Sequence, residues 1–166
     1  MTTKIIFLDF DGVLNSQLYY KSGRHSARPI AFENDIDPDS VALLNQLVKA
    51  TEAKVVVSSS WRHGRTVEQL QAILDHNGFV GEVIGKTKDL RCGEDGQYVM
   101  RGNEIYAWMR ENKAIVGDSS PDAHNYIILD DDSDMLYWQR NNLFLVDSFC
   151  GLTPNLVYKA TRFLNS

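Results

Sequence analysis

Two aspartates, Asp9 and Asp11, follow the short apolar stretch IIFL near the start of the chain. Such a stretch is typical of a buried strand. Alternate residues of a strand point to the same face, so both carboxylates are expected to face the same way. Gly12 permits a tight turn that would expose them. The pattern therefore predicts two acidic groups at the exit of a buried strand.

Further polar side chains follow two later apolar stretches. Ser58 and Ser59 come after VVV, and the sequence DDDSD places Asp130, Asp131 and Asp134 at the end of YIIL. In doubly wound sheets, ligands bind beyond the carboxyl ends of the strands. Several carboxylates at one such edge would repel one another unless a cation lay between them, and oxygen ligands suit a hard ion, above all Mg²⁺. Each cluster taken alone could equally be a solvated cap or turn.

Strands and helices are predicted to alternate along the chain. The strands are expected at residues 4–9, 53–58, 79–85, 125–130 and 142–147. The helices are expected to begin at Asp37-Pro38, at Thr66, at Gly102 and at Thr153-Pro154. Because several strands are continuous in Ile, Val and Leu, they are typical of strands buried on both faces. We therefore predict an α/β domain with three layers, α/β/α, around a five-stranded, mainly parallel sheet.

Two stretches do not fit this alternation. Residues 17–36 are long for a link between a strand and a helix, and we interpret them as an inserted loop or β-hairpin over the active end, a minimal cap. Residues 86–101 are interpreted as a second, hairpin-like excursion. Neither is large enough for a separate domain, so residues 1–166 are predicted to form a single domain.

The composition is that of an ordinary soluble globular protein, with 43% hydrophobic and 23% charged residues. No stretch approaches the ~20 apolar residues that cross a bilayer, and the first apolar run is too short for a signal peptide. Cys92 and Cys150 lack the spacing of a zinc site or a disulfide framework. We expect a cytoplasmic protein with no membrane partner.

The net charge of −5 argues against broad, non-specific binding to nucleic acid. Nine basic residues nevertheless lie in stretches expected near the same end of the fold: Lys21, Arg24, Arg28, Arg62, Arg65, Lys86, Lys88, Arg91 and Arg101. An acidic protein with locally clustered basic groups suits a phosphorylated substrate. The alternative is that these are scattered solvated charges.

Taken together, the polar stretches resemble the haloacid dehalogenase (HAD) superfamily of phosphotransferases. The first motif of that family, DxDGxL, is matched by residues 9–14 directly after an apolar strand. Its second motif is a Ser or Thr at the end of an apolar strand, best matched by Ser58, with Ser59 as the neighbouring candidate.

The other two motifs are less specific. The fourth, a pair of acidic residues after an apolar strand, is matched by Asp130 together with Asp131 or Asp134. The third is a lone Lys or Arg ahead of the fourth, for which Arg101 is the first choice and Lys86 the second. The order of the motifs matches the family over essentially the whole chain.

The resemblance implies a role for each motif. Asp9 would attack phosphorus and form an aspartyl-phosphate, and Asp11 would protonate the leaving oxygen and then deprotonate the hydrolytic water. Mg²⁺ would be held by Asp9, by the backbone carbonyl of Asp11 and by the fourth-motif aspartates. The second-motif serine and the third-motif cation would hold the phosphoryl oxygens. Since an alkoxide leaves poorly without an acid, the carboxylate of Asp11 implies phosphomonoester hydrolysis.

The resemblance also suggests a substrate. The stretches SSSWR, RGNEIYAWM, YIILDDDSDM and VDSFCGLT look like the small HAD domains of RNA-repair ("Swiss Army knife") proteins, which are related to the phosphatase domain of polynucleotide kinase-phosphatases. The implied substrate is a 3′-phosphate, or a cyclic phosphate product, at an RNA or DNA end. Arg24, Arg28, Arg62 and Arg65 are candidate substrate-binding residues. Trp61 could stack on a base or could simply pack beneath the loop.

Two other functions stay open at this stage. One is a small-molecule phosphatase acting on nucleotides or sugar phosphates. The other is a non-catalytic phosphate-binding module, which the second aspartate disfavours because a binder has no need of an acid. The sequence leaves the oligomeric state open.

Overall fold

A five-stranded parallel sheet forms the centre of the computed structural model, which describes residues 3–90, 98–117, 120 and 123–166. The strands lie in the order β3-β2-β1-β4-β5. Their bounds are β1 (Ile5–Leu8), β2 (Lys54–Val57), β3 (Val83–Lys86), β4 (Tyr126–Asp130) and β5 (Leu143–Leu145). All four strand pairs are parallel, so the prediction of a five-stranded, mainly parallel sheet is confirmed.

Helices connect the strands, as the sequence predicts. Their bounds are α1 (Gln17–Lys21), α2 (Pro38–Thr51), α3 (Val67–His76), α4 (Arg101–Glu111), α5 (Lys113–Val116) and α6 (Pro154–Leu164). Three of the predicted starts are confirmed by side-chain caps. Asp37 accepts from the amide of Asp39, and Thr153 accepts from that of Leu156. Thr66 begins α3 with a complete capping box.

The sheet is covered on both faces, which makes the fold a three-layer α/β/α sandwich. Along β1, Ile6 and Leu8 pack with apolar residues of α2, α3 and α6. Ile5 and Phe7 point the other way and pack with apolar residues of α4. Because every residue of β1 and β4 is buried, the strands read as continuous apolar runs, and the prediction of a three-layer fold is confirmed.

The register of the sheet brings three strand ends together. Leu8, the last residue of β1, lies opposite Val57 of β2 and Leu129 of β4. Asp9 and Ser58, which follow β1 and β2, extend the same ladders through their backbone amides. The polar residues after these three neighbouring strands therefore share one edge of the sheet.

Of the two alternatives predicted for residues 17–36, an inserted loop or a β-hairpin, the β-hairpin is wrong. The segment contains α1 and a 3-10 helix (Phe32–Asp35), and no strand lies within it. The strand predicted to begin at residue 79 begins at Val83; Phe79 is buried but lies in the loop between α3 and β3. The middle of the excursion predicted at residues 86–101, residues 91–97 with Arg91, lies outside the described residues. Among the described helices, none has the length and apolarity that spanning a membrane requires.

Candidate active site

Three carboxylates meet at the shared edge of the sheet. Asp9, Asp130 and Asp131 each present an oxygen within 4.8 Å of the other two. Asp9 is 6% exposed and Asp130 is 1% exposed, whereas Asp131 is exposed. The residues come from the ends of β1 and β4, which are neighbours in the sheet. The folding of the sheet alone therefore gathers acidic groups from positions 9, 130 and 131.

Burial is the main effect that disfavours the charged forms of these carboxylates. Burial raises the pKa of Asp9, an effect opposed by the charge of Arg101. Burial, together with the charge of Asp9, raises the pKa of Asp130 to about 7. Burial also raises the pKa of Asp131. A cation between the three groups would favour their ionised forms.

The donor set fits a hard divalent cation. Oδ2 of Asp130 is buried and has no hydrogen-bond partner within the described part of the chain. A buried oxygen that accepts no hydrogen bond costs free energy unless a nearby positive charge compensates it, and the ion-pair contact with Nε of Arg101 at 3.4 Å supplies part of that charge. Three carboxylates that supply only oxygen atoms are typical ligands of Mg²⁺.

Arg101 and Ser58 carry unpartnered polar atoms beside this cluster. Arg101 begins α4, and its Nε lies 3.4 Å from Oδ2 of Asp130. Its Nη1 is buried without a hydrogen-bond partner among the described residues, and the same holds for Oγ of Ser58. The hydroxyl of Ser59 is hydrogen-bonded to Asp9. Arg101 and Ser58 thus have donors available for an anion next to the carboxylates.

Lys86, the other candidate for the third motif, lies elsewhere. Its ammonium donates to the backbone carbonyls of Arg62 and Arg65. These contacts attach the end of β3 to the segment after β2. Of the two basic candidates, the structure therefore places Arg101 beside Asp9 and Asp130.

Asp134 also lies apart from the carboxylate cluster. Its Oδ2 accepts from the backbone amide of Arg101 at 3.1 Å and from the hydroxyl of Tyr98. Asp134 therefore stabilises the first turn of α4, where Arg101 lies. Of the two alternatives for the fourth motif, Asp131 is the one grouped with Asp9 and Asp130.

Asp11 is exposed and is held by neighbouring side chains. Its Oδ1 accepts from Nδ2 of Asn15 at 2.9 Å and from Nε1 of Trp61 at 3.0 Å. Gly12 follows with a φ of +75°, a conformation that glycine adopts freely. A Cβ atom at Gly12 would lie 2.3 Å from Oδ2 of Asp131. The lack of a side chain at Gly12 is therefore what lets the backbone of this turn lie against Asp131.

Two of the predicted substrate-binding arginines hold the segment between α1 and α2. Arg24 pairs with Asp37 and Asp39. Arg28 donates to the hydroxyl of Tyr19 and to backbone carbonyls of its own segment. These contacts give Arg24 and Arg28 a structural role in this segment.

Of the other two, Arg62 is internal. It is 3% exposed, pairs with Glu104 and donates to the backbone carbonyl of Ser59. Arg65 lies instead in an open cleft, where its Nη1 donates to the carbonyl of Trp61 at 3.0 Å. Arg65 is therefore the arginine of this set best placed to meet a substrate.

Comparison with known proteins agrees with this geometry. A family model described as the HAD domain in Swiss Army Knife RNA repair proteins matches residues 5–157, from the first residue of β1 into α6. Searches of curated proteins and of solved structures gave no significant match. The matched region includes every residue of the site described above. The chain belongs to the family of HAD domains found in Swiss Army Knife RNA repair proteins.

Proposed function

We propose that this protein is a Mg²⁺-dependent phosphomonoesterase that removes 3′-phosphates from nucleic-acid ends through an aspartyl-phosphate intermediate. The observation that carries the proposal is the cluster of Asp9, Asp130 and Asp131, with Arg101 beside it. Membership of a family of RNA-repair HAD domains supports both the phosphatase chemistry and the class of substrate.

Asp9 is the nucleophile in this proposal. A carboxylate oxygen of Asp9 forms a bond to phosphorus while the bond from phosphorus to the ester oxygen breaks. Water then attacks the same phosphorus and releases Asp9 and inorganic phosphate. Oδ1 of Asp9 accepts from the backbone amide of Phe10 at 2.8 Å, and this contact and the hydrogen bond with Ser59 fix the carboxylate in place.

Asp11 is the acid and then the base. It gives a proton to the leaving oxygen in the first step and takes one from water in the second. Its exposure suits both tasks, since leaving group and water must reach it from solvent. The donors of Asn15 and Trp61 hold the carboxylate in one orientation.

The phosphoryl oxygens are held by donors of the chain. Nη1 of Arg101 and Oγ of Ser58 are buried donors at this site that lack partners among the described residues, and each would gain one from a bound phosphate. Asp134 accepts from the backbone amide of Arg101 and so fixes the point of the chain from which the Arg101 side chain extends.

Asp9, Asp130 and Asp131 would hold the metal ion, with the backbone carbonyl of Asp11 as a further ligand. Mg²⁺ bound there would offset the negative charges of the nucleophile and the phosphate as they approach. Arg101 adds a positive charge beside these carboxylates, and this charge lowers the pKa of both Asp9 and Asp130.

The end of a polymer is a suitable substrate because the described part of the chain adds no large cap to the site. The segment after the first motif contributes only α1 and one 3-10 helix. An open site of this kind accepts a chain end that a large cap would exclude. The same openness allows a mononucleotide or a sugar phosphate, so substrate preference is part of the test.

The test compares Asp9→Asn with the unaltered protein on a 3′-phosphorylated oligonucleotide, with Mg²⁺ or with EDTA. We expect phosphate release only from the unaltered protein with Mg²⁺. Asp75→Asn, the same change on the exposed face of α3, is the matched control and should keep full activity. Full activity of Asp9→Asn would exclude Asp9 as the nucleophile.

A substrate panel tests the second half of the proposal. The 3′-phosphorylated oligonucleotide is compared with a 5′-phosphorylated one, a 3′-mononucleotide and a sugar phosphate. We expect the highest kcat/KM for the first. Faster turnover of the mononucleotide or the sugar phosphate would replace the polynucleotide end with a small molecule as the substrate.

A further inference from the structure

An open groove leads away from Asp11 along the surface. Its first part is a cleft of about 280 Å³ lined by Phe32, Asp35, Ser60, Trp61 and Arg65. A second cleft of about 580 Å³ shares Phe32 and Arg65 and continues along α3. We call the first cleft, defined by those five residues, the aromatic groove.

The aromatic groove begins at the proposed acid. Trp61, which lines the groove, donates from Nε1 to Oδ1 of Asp11 at 3.0 Å. Ser60, also in the lining, lies with Oγ 3.5 Å from Oδ2 of Asp11. In the proposed reaction Asp11 protonates the leaving oxygen. The nucleoside attached to that oxygen must therefore lie on the side of Asp11, where the groove begins.

Two aromatic rings line the groove together with the polar side chains of Asp35 and Ser60, and the guanidinium of Arg65 lies over the rings. Phe32 is 47% exposed, a large fraction for a phenyl ring. The rings of Phe32 and Trp61 have centroids 6.2 Å apart and meet at 49°. The guanidinium of Arg65 lies 5.0 Å from the centroid of Phe32 and 5.8 Å from that of Trp61. Aromatic faces with an adjacent arginine are typical of surfaces on which bases stack.

The groove is also held rigidly. On its inner side Trp61 packs against the buried ring of Phe10, with centroids 5.5 Å apart. Arg65 is tied to the backbone of Trp61 by its hydrogen bond to the carbonyl. Because Phe10 lies between the two catalytic aspartates in sequence, the position of Trp61 is coupled to theirs. A surface fixed in this way loses little conformational entropy when a ligand binds.

We propose that the aromatic groove binds the unpaired nucleobase of the nucleoside that carries the phosphate. The inference rests on the proposed phosphatase function and adds a base-binding subsite to it. Stacking on Phe32 and Trp61 covers apolar surface that is otherwise open to water, and it does so for any of the bases. The subsite thus favours a nucleic-acid end over a sugar phosphate without specifying a sequence.

The test uses two single-stranded oligonucleotides of equal length that end in a 3′-phosphate. One carries a base on its last sugar, and the other carries a base-free tetrahydrofuran analogue there. We expect the unaltered protein to show a kcat/KM about tenfold higher for the substrate with the base, the scale on which stacking contributes. In Phe32→Ala the ratio of the two values should fall towards one.

Tyr158→Ala is the matched control, since Tyr158 is an exposed aromatic residue on α6 outside the groove. This variant should keep the ratio of the unaltered protein. Equal kcat/KM for both substrates in the unaltered protein would overturn the subsite while leaving the phosphatase intact. A ratio that survives Phe32→Ala would overturn it as well. Failure to hydrolyse either substrate would overturn the proposed function, and the subsite with it.

Discussion

The guanidinium of Arg62 and the carboxylate of Glu104 form an ion pair inside the protein, with Nη2 2.7 Å from Oε2. Their side chains are 3% and 2% exposed. Arg62 also donates to the backbone carbonyl of Ser59, and Glu104 accepts from the amide of Leu90. The pair therefore ties the serine segment after β2 to α4, the helix that begins with Arg101.

Removal of one partner of this pair should destabilise the protein strongly. Glu104→Ala leaves the charge of Arg62 buried and unbalanced, which costs about 3–5 kcal/mol of the free energy of unfolding. Urea unfolding of the variant measures this loss. Glu82→Ala removes a partner from the exposed pair of Lys54 and Glu82, and it should cost only about 0–1 kcal/mol. Equal losses of unfolding free energy in the two variants would show that burial does not increase the contribution of the pair of Arg62 and Glu104 to stability.

The metal site can be tested without measuring activity. Mg²⁺ at a hundredfold excess over its Kd stabilises a folded protein by about 2.7 kcal/mol, which corresponds to an increase in Tm of about 5 °C or more for a chain of this length. Asp130→Asn should abolish the increase, because it removes a buried ligand. Asp134→Asn should keep it, because Asp134 is bonded to Arg101 and Tyr98 instead. Loss of the Mg²⁺ effect in Asp134→Asn would place that residue among the ligands.

Gly12→Ala should reduce phosphatase activity sharply. The new Cβ would lie 2.3 Å from Oδ2 of Asp131, so Asp131 or the turn that carries Asp11 must move. A displacement of about 1 Å at reacting groups lowers the rate about a hundredfold. Gly78→Ala is the control, because Gly78 also has a positive φ but a Cβ there meets nothing within 4 Å. If both variants kept full activity, the close approach at Gly12 would have no catalytic role.

The sequence predicts the strand ends well because burial and chain direction are local properties. An apolar run followed by Asp9, by Ser58 or by Asp130 indicates where a buried strand meets solvent. Parallel packing then brings these ends to one edge of the sheet. The hydrophobic pattern reports burial and not hydrogen bonding, which is why buried Phe79 was included in a strand.

The partners of the site residues could not be predicted in the same way. Trp61 and Asp11 are 50 residues apart, and Arg62 and Glu104 are 42 apart, so their contacts depend on how whole elements pack. The choice between Asp131 and Asp134 depends on which way each side chain points after the strand ends. Trp61 is a candidate for stacking or for packing, but its hydrogen bond to Asp11 cannot be read from the sequence. The residue type of Asn15 gives no signal, because asparagine also occurs as a turn residue.

The phenol of Tyr126 should limit stability at high pH. It lies in β4 facing the α4 side of the sheet, and its hydroxyl has no hydrogen-bond partner among the residues that the structure describes. Burial raises the pKa of Tyr126 to about 12, above the value of about 10 expected in the unfolded chain. The contribution of Tyr126 to the free energy of unfolding is therefore fully present below pH 10. It is lost as the pH rises towards 12, because the phenol releases its proton at a lower pH in the unfolded state than in the folded state.

Tyr126→Phe should remove this loss. At pH 11 the unaltered protein should lose about 1 kcal/mol more of its unfolding free energy, relative to pH 8, than the variant does. At pH 8 the variant should be at least as stable, because the change deletes a buried hydroxyl that lacks a partner. Urea unfolding of both proteins at the two pH values measures both effects. Identical losses at pH 11 would mean that Tyr126 ionises as easily in the folded protein as in the unfolded chain.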